Sequence, residues 1–212
     1  MFAIAGSHRS GKTTLAKALA ADLGIEFLET KVSDVFKEFG LDPKADLPFA
    51  ARMTVQEKIL RSLEVQYELR RGKQYIADRS PFDVLGYTMA DIKRDTLDED
   101  LRSRVYRQIG LAAEIIAKNL TACILLRPLP DQVDCATSAQ ACPLYMHHVY
   151  TCIKDMSESL AASLNARTGF VCVESFDVDH DARMADCGDF IREIQQHLGL
   201  ITESPKIWLP NE

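Results

Sequence analysis

The stretch "FAIAGSHRSGKTTLAKALAADLG", Phe2 to Gly24, decides the fold. An apolar run, Phe2-Ala3-Ile4-Ala5, leads into Gly6. A helical pattern then runs from Lys12 to Leu23, and Gly24 is a good stop for it. Between strand and helix the spacing is G-x-x-x-x-G-K-T: Gly6, Gly11, Lys12 and Thr13. That spacing in that context makes a phosphate cradle. The glycines let the backbone wrap closely, so that N–H groups turn inward to phosphate oxygens. The positive end of the following helix adds to the field. Lys12 is placed to reach the β- and γ-phosphates, and the Thr13 hydroxyl to ligate Mg²⁺; Ser10 and Thr14 complete the nucleotide-binding set. The motif implies a nucleoside triphosphate and magnesium but does not choose among ATPases, GTPases and small-molecule kinases.

The rest of the chain repeats the strand–helix alternation. Strands are expected at 25–28, 75–77, 122–126 and 170–173. Helices are expected over about 50–71, after Pro81, and around Leu101–Ile116, Ile153–Leu164 and Met184–Leu198. Short, wholly apolar strands alternating with helices imply an α/β fold, a parallel sheet covered on both faces. No repeat or long linker divides the 212 residues, so a single domain is expected over 1–212. The interval from Pro128 to about Pro143 carries three prolines and no clear period, and reads as a mobile loop beside the active site or a surface loop; a lid would span about 128–148. Residues 202–212 read as an extended tail that Trp208 packs down.

Lys and Arg total 25 against 31 Asp and Glu, a net charge of −6, which disfavours a protein that coats nucleic acid nonspecifically. Two basic stretches, Arg52 to Lys73 and Arg102 to Arg107, admit a local groove but also suit solvated helix faces. No run approaches the ~20 apolar residues of a membrane span. The N-terminus lacks a basic start followed by an apolar stretch, so a cytoplasmic location, with no membrane partner, is expected. Six cysteines are then expected as reduced thiols. Cys135, Cys142, His147 or His148 and Cys152 can be drawn as a metal cluster, but their wide gaps contain no CxxC. The 128–152 region is left as a metal site or only a lid.

A second motif, "YIADRSPFD", spans Tyr75 to Asp83. Ser80 suits an N-cap, Pro81 the first helical position, and Asp83 a capping-box acid. Asp78 and Arg79 are not explained that way. Asp78 ends an apolar strand, facing the phosphate loop across the carboxyl edge of the sheet. It can deprotonate an acceptor hydroxyl or hold the magnesium shell, while Arg79 can hold the acceptor or the transferring phosphoryl group.

On these two motifs the chain resembles the P-loop nucleoside and nucleotide kinases. Thymidylate kinases carry an Asp-Arg pair at this strand end, and deoxynucleoside kinases a Glu-Arg-Ser. The longer string "DRSPFDVLGY", with "GSHRSGKTTL", resembles the nicotinamide-riboside-kinase-like group and its phage-encoded relatives. The resemblance covers residues 1–175 and implies a three-layer fold, its five-stranded parallel sheet in the order 2-3-1-4-5. It implies ATP as donor, Mg²⁺ held by Thr13 and Asp78, and catalytic roles for Lys12, Asp78, Arg9 and Arg79. The interval 128–148 has no arginine or lysine. One group of thymidylate kinases resembles this arrangement, with an arginine at the position of Arg9 and none in the lid. Arg9 is therefore expected to stabilise charge on the transferring phosphoryl, with Arg127, at the end of a strand, as a second candidate. That group has an acid before the loop arginine, where this chain has His8, a departure that counts against thymidylate.

The resemblance places the acceptor between the Asp-Arg strand end and its flanking helices. Arg52, Gln56, Arg79, Asp83 and Tyr87 are the expected substrate contacts, with Gln56 able to hold a base edge by two hydrogen bonds. Phe36 and Phe39 read as core or as a stacking platform. The expected activity is phosphoryl transfer from ATP to a nucleoside, nucleotide or similar ribosyl acceptor. Two alternatives stand beside it: a phage-type kinase of a hydroxymethylpyrimidine (5-hydroxymethyluracil) within DNA, which would make DNA a partner, and a P-loop ATPase switch or regulator without a phosphorylated product. A homodimer is admitted, not required.

Overall fold

The computed structural model describes residues 1–42, 47–92, 98–129, 142–177 and 179–199. Strands β1 (Phe2–Gly6), β2 (Glu26–Leu28), β3 (Tyr75–Ala77), β4 (Ala122–Leu126) and β5 (Val171–Ser175) form one parallel sheet in the order β2-β3-β1-β4-β5. Helices α1 (Lys12–Leu23), α2 (Val32–Glu38), α3 (Phe49–Glu68), α4 (Pro81–Asp91), α5 (Glu99–Asn119), α6 (Pro143–Thr168) and α7 (His180–His197) connect and cover it.

The central strands β1, β3 and β4 are apolar and buried on both faces, and alternate residues feed two cores. Phe2, Ile4, Ile76, Ile124 and Leu126 pack under α1 and α7 with Leu15, Leu19 and Ile191. Ala3, Ala5, Ala77, Cys123 and Leu125 face the opposite core, filled from α3, α4, α5 and α6 by Leu60, Phe82, Ile116 and Ile153. Small strand residues on that side let α4 sit close. The approach of α4 to α6 is set at Gly86, where a Cβ would fall 2.1 Å from Ile153 Cγ1.

The order 2-3-1-4-5 matches the sequence expectation; several boundaries do not. α2 follows directly on β2, in a segment where only Phe36 and Phe39 had drawn notice; Phe36 is buried while Phe39 is 44% exposed, so the two do not form one platform. α3 ends at Glu68 rather than 71. α6 starts at Pro143, about ten residues before the expected helix, because Met146, Val149, Tyr150 and Ile153 already carry helical spacing. Residues 143–148, expected as part of a lid, are therefore the first turns of α6. The rest of that interval from 130 to 141, and the expected tail 202–212, lie outside the described residues.

Candidate nucleotide-binding and phosphoryl-transfer site

The loop from Gly6 to Gly11 joins β1 to α1 at the carboxyl edge of the sheet, and its backbone is unusual. Gly6 has φ 153° and Gly11 φ 86°, while Arg9 adopts φ 61° without being glycine. A Cβ at Gly6 would lie 2.7 Å from Ser10 Oγ and 2.9 Å from the Leu126 carbonyl, so space as well as conformation demands glycine there. Four groups hold the loop. Lys12 Nζ donates to the carbonyls of Gly6 (2.7 Å) and Ser7 (2.6 Å). The Gly6 N–H donates to Asp83 Oδ1 at 3.3 Å. The His8 N–H donates to the Tyr87 hydroxyl at 2.8 Å. Arg183, from α7, donates to the Ser10 carbonyl at 2.8 Å.

Lys12 is 7% exposed, and burial pulls its pKa down to about 8, against the opposing attraction of Asp83 and Asp78. Asp83, fully buried, is pushed up by the same cause. The two are 3.9 Å apart, and on both sides desolvation outweighs their mutual attraction. Asp83 Oδ2 also accepts from the Ser80 N–H (2.9 Å) and Ser80 Oγ (3.0 Å), closing the capping box that starts α4. The carboxylate thus lies beneath the phosphate loop and joins it to α4. At 0% exposure it offers nothing to an acceptor, unlike the substrate contact expected of it.

Asp78 follows β3 directly. Its Oδ2 accepts from Thr13 Oγ1 at 2.8 Å, and its Oδ1 from the Thr30 N–H (3.0 Å) and Thr30 Oγ1 (2.8 Å). Thr13 from one motif and Asp78 from the other meet side by side. Thr30 was not singled out in the sequence. The signal lay in the strand order: with β2 beside β3, the chain leaving β2 must flank Asp78.

Arg79 is positioned through its backbone, whose carbonyl accepts from the buried Tyr67 hydroxyl at 2.6 Å. Its guanidinium lies over the Tyr87 ring, 6.0 Å from the centroid. Tyr87 also meets His8, whose Nδ1 is 3.1 Å from the hydroxyl. Burial first, then the charges of Lys12, Arg9 and Arg79, drop the His8 pKa to about 4, so the ring is neutral at physiological pH. The His8 ring also lies 6.0 Å from that of Tyr145, whose hydroxyl donates to Asp91 Oδ1 at 3.1 Å; Arg52 Nε is 3.7 Å from Asp91 Oδ2. Arg79, Tyr87, His8, Tyr145, Asp91 and Arg52 thus form a continuous wall from the phosphate loop outward between α3, α4 and α6. Gln56 lies on α3, 8% exposed, one turn from Arg52. Tyr145 was missed in the sequence because it fell in the expected lid.

The residues present suit ATP and Mg²⁺. Among the described residues the buried hydroxyls of Ser7 and Ser10 have no hydrogen-bond partner, so donors remain in the loop itself. Thr13 and Thr14 are exposed at the start of α1, and Thr13 Oγ1 with Asp78 Oδ2, 2.8 Å apart, are oxygens of the kind Mg²⁺ takes. No group of three metal-ligating side chains occurs among the described residues. Cys152 Sγ lies 4.0 Å from His148 Nε2 on one face of α6, and Cys135 is outside the described residues.

A strand-to-helix loop with the G-x-x-x-x-G-K-T spacing, an acid–arginine pair directly after the adjacent strand and the order 2-3-1-4-5 define a P-loop fold. The sequence pattern of the AAA domain family matches residues 1–115, more than half of the chain and both motifs, and the chain belongs to that family. No curated protein matches it in sequence. Among solved structures, deoxyadenosine kinase from M. mycoides with bound dCTP is similar at a TM-score of 0.60 and 15% identity, over 94% of this chain and 99% of that one. Thymidylate kinase from Candida albicans is similar at 0.59 and 15%, over 96% and 95%. At such identity the likeness is one of fold. No helix among the described residues is long and apolar enough to cross a membrane.

Proposed function

We propose that this protein transfers the γ-phosphoryl group of ATP, with Mg²⁺, to a nucleoside, nucleotide or similar ribosyl acceptor. The observation that carries the reading is the contact of Thr13 Oγ1 with Asp78 Oδ2 at 2.8 Å, which joins the phosphate loop to a strand-end carboxylate. The likeness of fold to deoxyadenosine and thymidylate kinases supports the acceptor class.

In this reading Gly6, Ser10, Gly11, Lys12 and Thr14 hold the triphosphate, and Thr13 and Asp78 hold the cation. A cation held there by Thr13 and Asp78 would neutralise charge that develops during transfer. Lys12 exchanges its two loop carbonyls for phosphate oxygens. Asp78, oriented by three donors, takes the proton of an acceptor hydroxyl. Arg79, fixed from behind by Tyr67, directs its guanidinium along the wall where Tyr87 and His8 give an aromatic boundary. Arg9 stabilises the transferring charge from inside the loop.

The DNA alternative leaned on the two basic stretches, and much of that charge is locally neutralised. Arg104 pairs with Glu57 (2.7 Å), Arg70 with Glu26 (2.6 Å), Arg61 with Glu64 (2.8 Å) and Arg71 with Glu68 (2.6 Å). The decisive experiment is a screen of nucleosides, nucleotides, nicotinamide riboside and hydroxymethylpyrimidine DNA for transfer of labelled γ-phosphate. It is paired with Asp78→Asn. A hydroxyl acceptor needs the base, and transfer should fall by ~10²–10⁴-fold with ATP still bound. A phosphate acceptor needs none, and raised Mg²⁺ should then restore part of the rate. Unchanged transfer in Asp78→Asn would remove Asp78 from the chemistry. ATP hydrolysis with no labelled acceptor across the screen would favour the ATPase alternative.

A further inference from the structure

Arg183 stands in the first turns of α7, outside both motifs, and is 3% exposed. Its guanidinium donates to three backbone carbonyls: Nη1 to Ser10 (2.8 Å), Nη2 to Arg127 (2.9 Å), and Nε to Asp177. These belong to the phosphate loop, the chain leaving β4 and the chain leaving β5, so one side chain gathers three separate returns of the backbone at the carboxyl edge. A planar fork of five donors can do this; a lysine cannot reach three carbonyls in one plane.

The placement is costly. A cation is disfavoured near a helix N-terminus, and a buried one is expensive without compensation. Burial accordingly pulls the Arg183 pKa down. What it achieves follows from peptide geometry. Across a planar trans peptide the carbonyl of one residue and the N–H of the next point in opposite directions. Among the described residues all peptides are trans. Holding the Ser10 carbonyl toward α7 therefore aims the Gly11 N–H away from it. Successive N–H groups turned to one side are what make such a loop an anion cradle.

We propose that Arg183 is a positioning residue for phosphate binding: it locks the Ser10–Gly11 peptide so that the Gly11 N–H stays presented to phosphate, and it couples that setting to the loops after β4 and β5. The inference rests on the phosphate-loop reading and goes beyond it by assigning this task to a residue of the last helix.

The test measures dissociation constants for Mg·ATP and Mg·tripolyphosphate on the full chain, well below the melting temperature. Wild type is compared with Arg183→Lys, Arg183→Gln, Lys12→Ala and Arg104→Gln. Tripolyphosphate isolates the cradle from any contact with the base. Arg183→Gln and Arg183→Lys should both weaken both ligands, on the order of ten- to a hundredfold, the scale at which small misplacements are felt. Arg104→Gln removes an arginine that ties α3 to α5 through Glu57; it should lower the melting temperature and leave both constants unchanged. Affinities within twofold of wild type in a folded Arg183 variant overturn the proposal. So does full restoration by lysine, which would make the role one of charge alone. If Arg183→Gln does not fold, Arg183→Lys, which keeps the cation, carries the test. Binding that survives Lys12→Ala sinks the phosphate-loop reading itself, whereas loss in Lys12→Ala with none in the Arg183 variants sinks only this inference.

Discussion

Asp83→Asn and Asp83→Ala separate a framework carboxylate from a substrate contact. In the native protein three bonds converge on Asp83: the Gly6 N–H at 3.3 Å, the Ser80 N–H at 2.9 Å and Ser80 Oγ at 3.0 Å. Asparagine is nearly the same size, but one of its two polar atoms becomes a donor. Its better orientation keeps the oxygen on Ser80 and turns the amide to Gly6, leaving that buried N–H unpaired. An orphaned buried donor costs ~1–3 kcal/mol. The substitution also removes the charge nearest Lys12. Part of this is offset, because the carboxylate no longer has to be desolvated, a cost visible in the raised pKa of Asp83. A net loss of about 2 kcal/mol corresponds to roughly 4–8 °C in Tm for a chain of this size. Alanine loses all three bonds and leaves Lys12 without its partner, for which ~3–5 kcal/mol is expected. The assay is urea and thermal unfolding of the three proteins, followed by nucleotide affinity on the folded fraction. A melting temperature for Asp83→Asn within about 2 °C of wild type, together with a raised KM for acceptor alone, would refute the reasoning and return Asp83 to the substrate site.

Two further predictions follow from the same loop. The Lys12 pKa of about 8 lies below its ordinary 10.5. Between those values the unfolded chain binds more protons than the native one, so the Lys12 contribution to stability rises with pH across that window. Nucleotide affinity should move the opposite way, weakening above about 8 by up to about tenfold per pH unit as the cation is lost; titration of the ATP dissociation constant from neutral to alkaline pH checks this, and Lys12→Met should abolish both trends. For Arg9, Arg9→Ala should lower kcat on the order of 10³-fold with little change in ATP affinity, read by single-turnover transfer. Arg9→Gly should lose transfer equally while melting no lower than wild type, because glycine accepts φ 61° without strain; an equal loss of ground-state ATP binding would make Arg9 a binding residue only.

Legibility in the sequence followed the range of the interactions. The strand–loop–helix at the N-terminus and the strand-end Asp78 are written in contiguous residues, and strand alternation with the resemblance was enough for the order 2-3-1-4-5. The capping box at Ser80 and Asp83 was legible for the same reason, since both partners lie within one turn. Its second use was not: the bond from Gly6 to Asp83 spans 77 residues and depends on how closely α4 approaches β1. Thr30, Tyr67, Tyr145 and Arg183 were missed because nothing local marks them. Tyr67 reads as one more apolar position of α3, and the start of α6 was hidden by prolines and small residues that suggested a loop.

The loop itself explains why so many long-range groups converge on it. A segment with positive φ at Gly6, Arg9 and Gly11 is not favoured by its own backbone. Left alone it would relax, and relaxation would turn the amide groups to which the proposed function assigns phosphate. Such a conformation persists only where surrounding structure over-determines it. Here the supports come from separate positions: Lys12 from the first turn of α1, Asp83 from the start of α4, Tyr87 from further along α4, and Arg183 from α7. Three of these are charges buried against their own interest, as the lowered Lys12 and Arg183 pKa values and the raised Asp83 pKa record. A fold selected for stability alone would replace them with apolar contacts, which often match or exceed buried ion pairs. Their retention fits a loop whose amides must stay aimed before phosphate arrives, since donors fixed in advance need no reorganisation as charge develops on the transferring group.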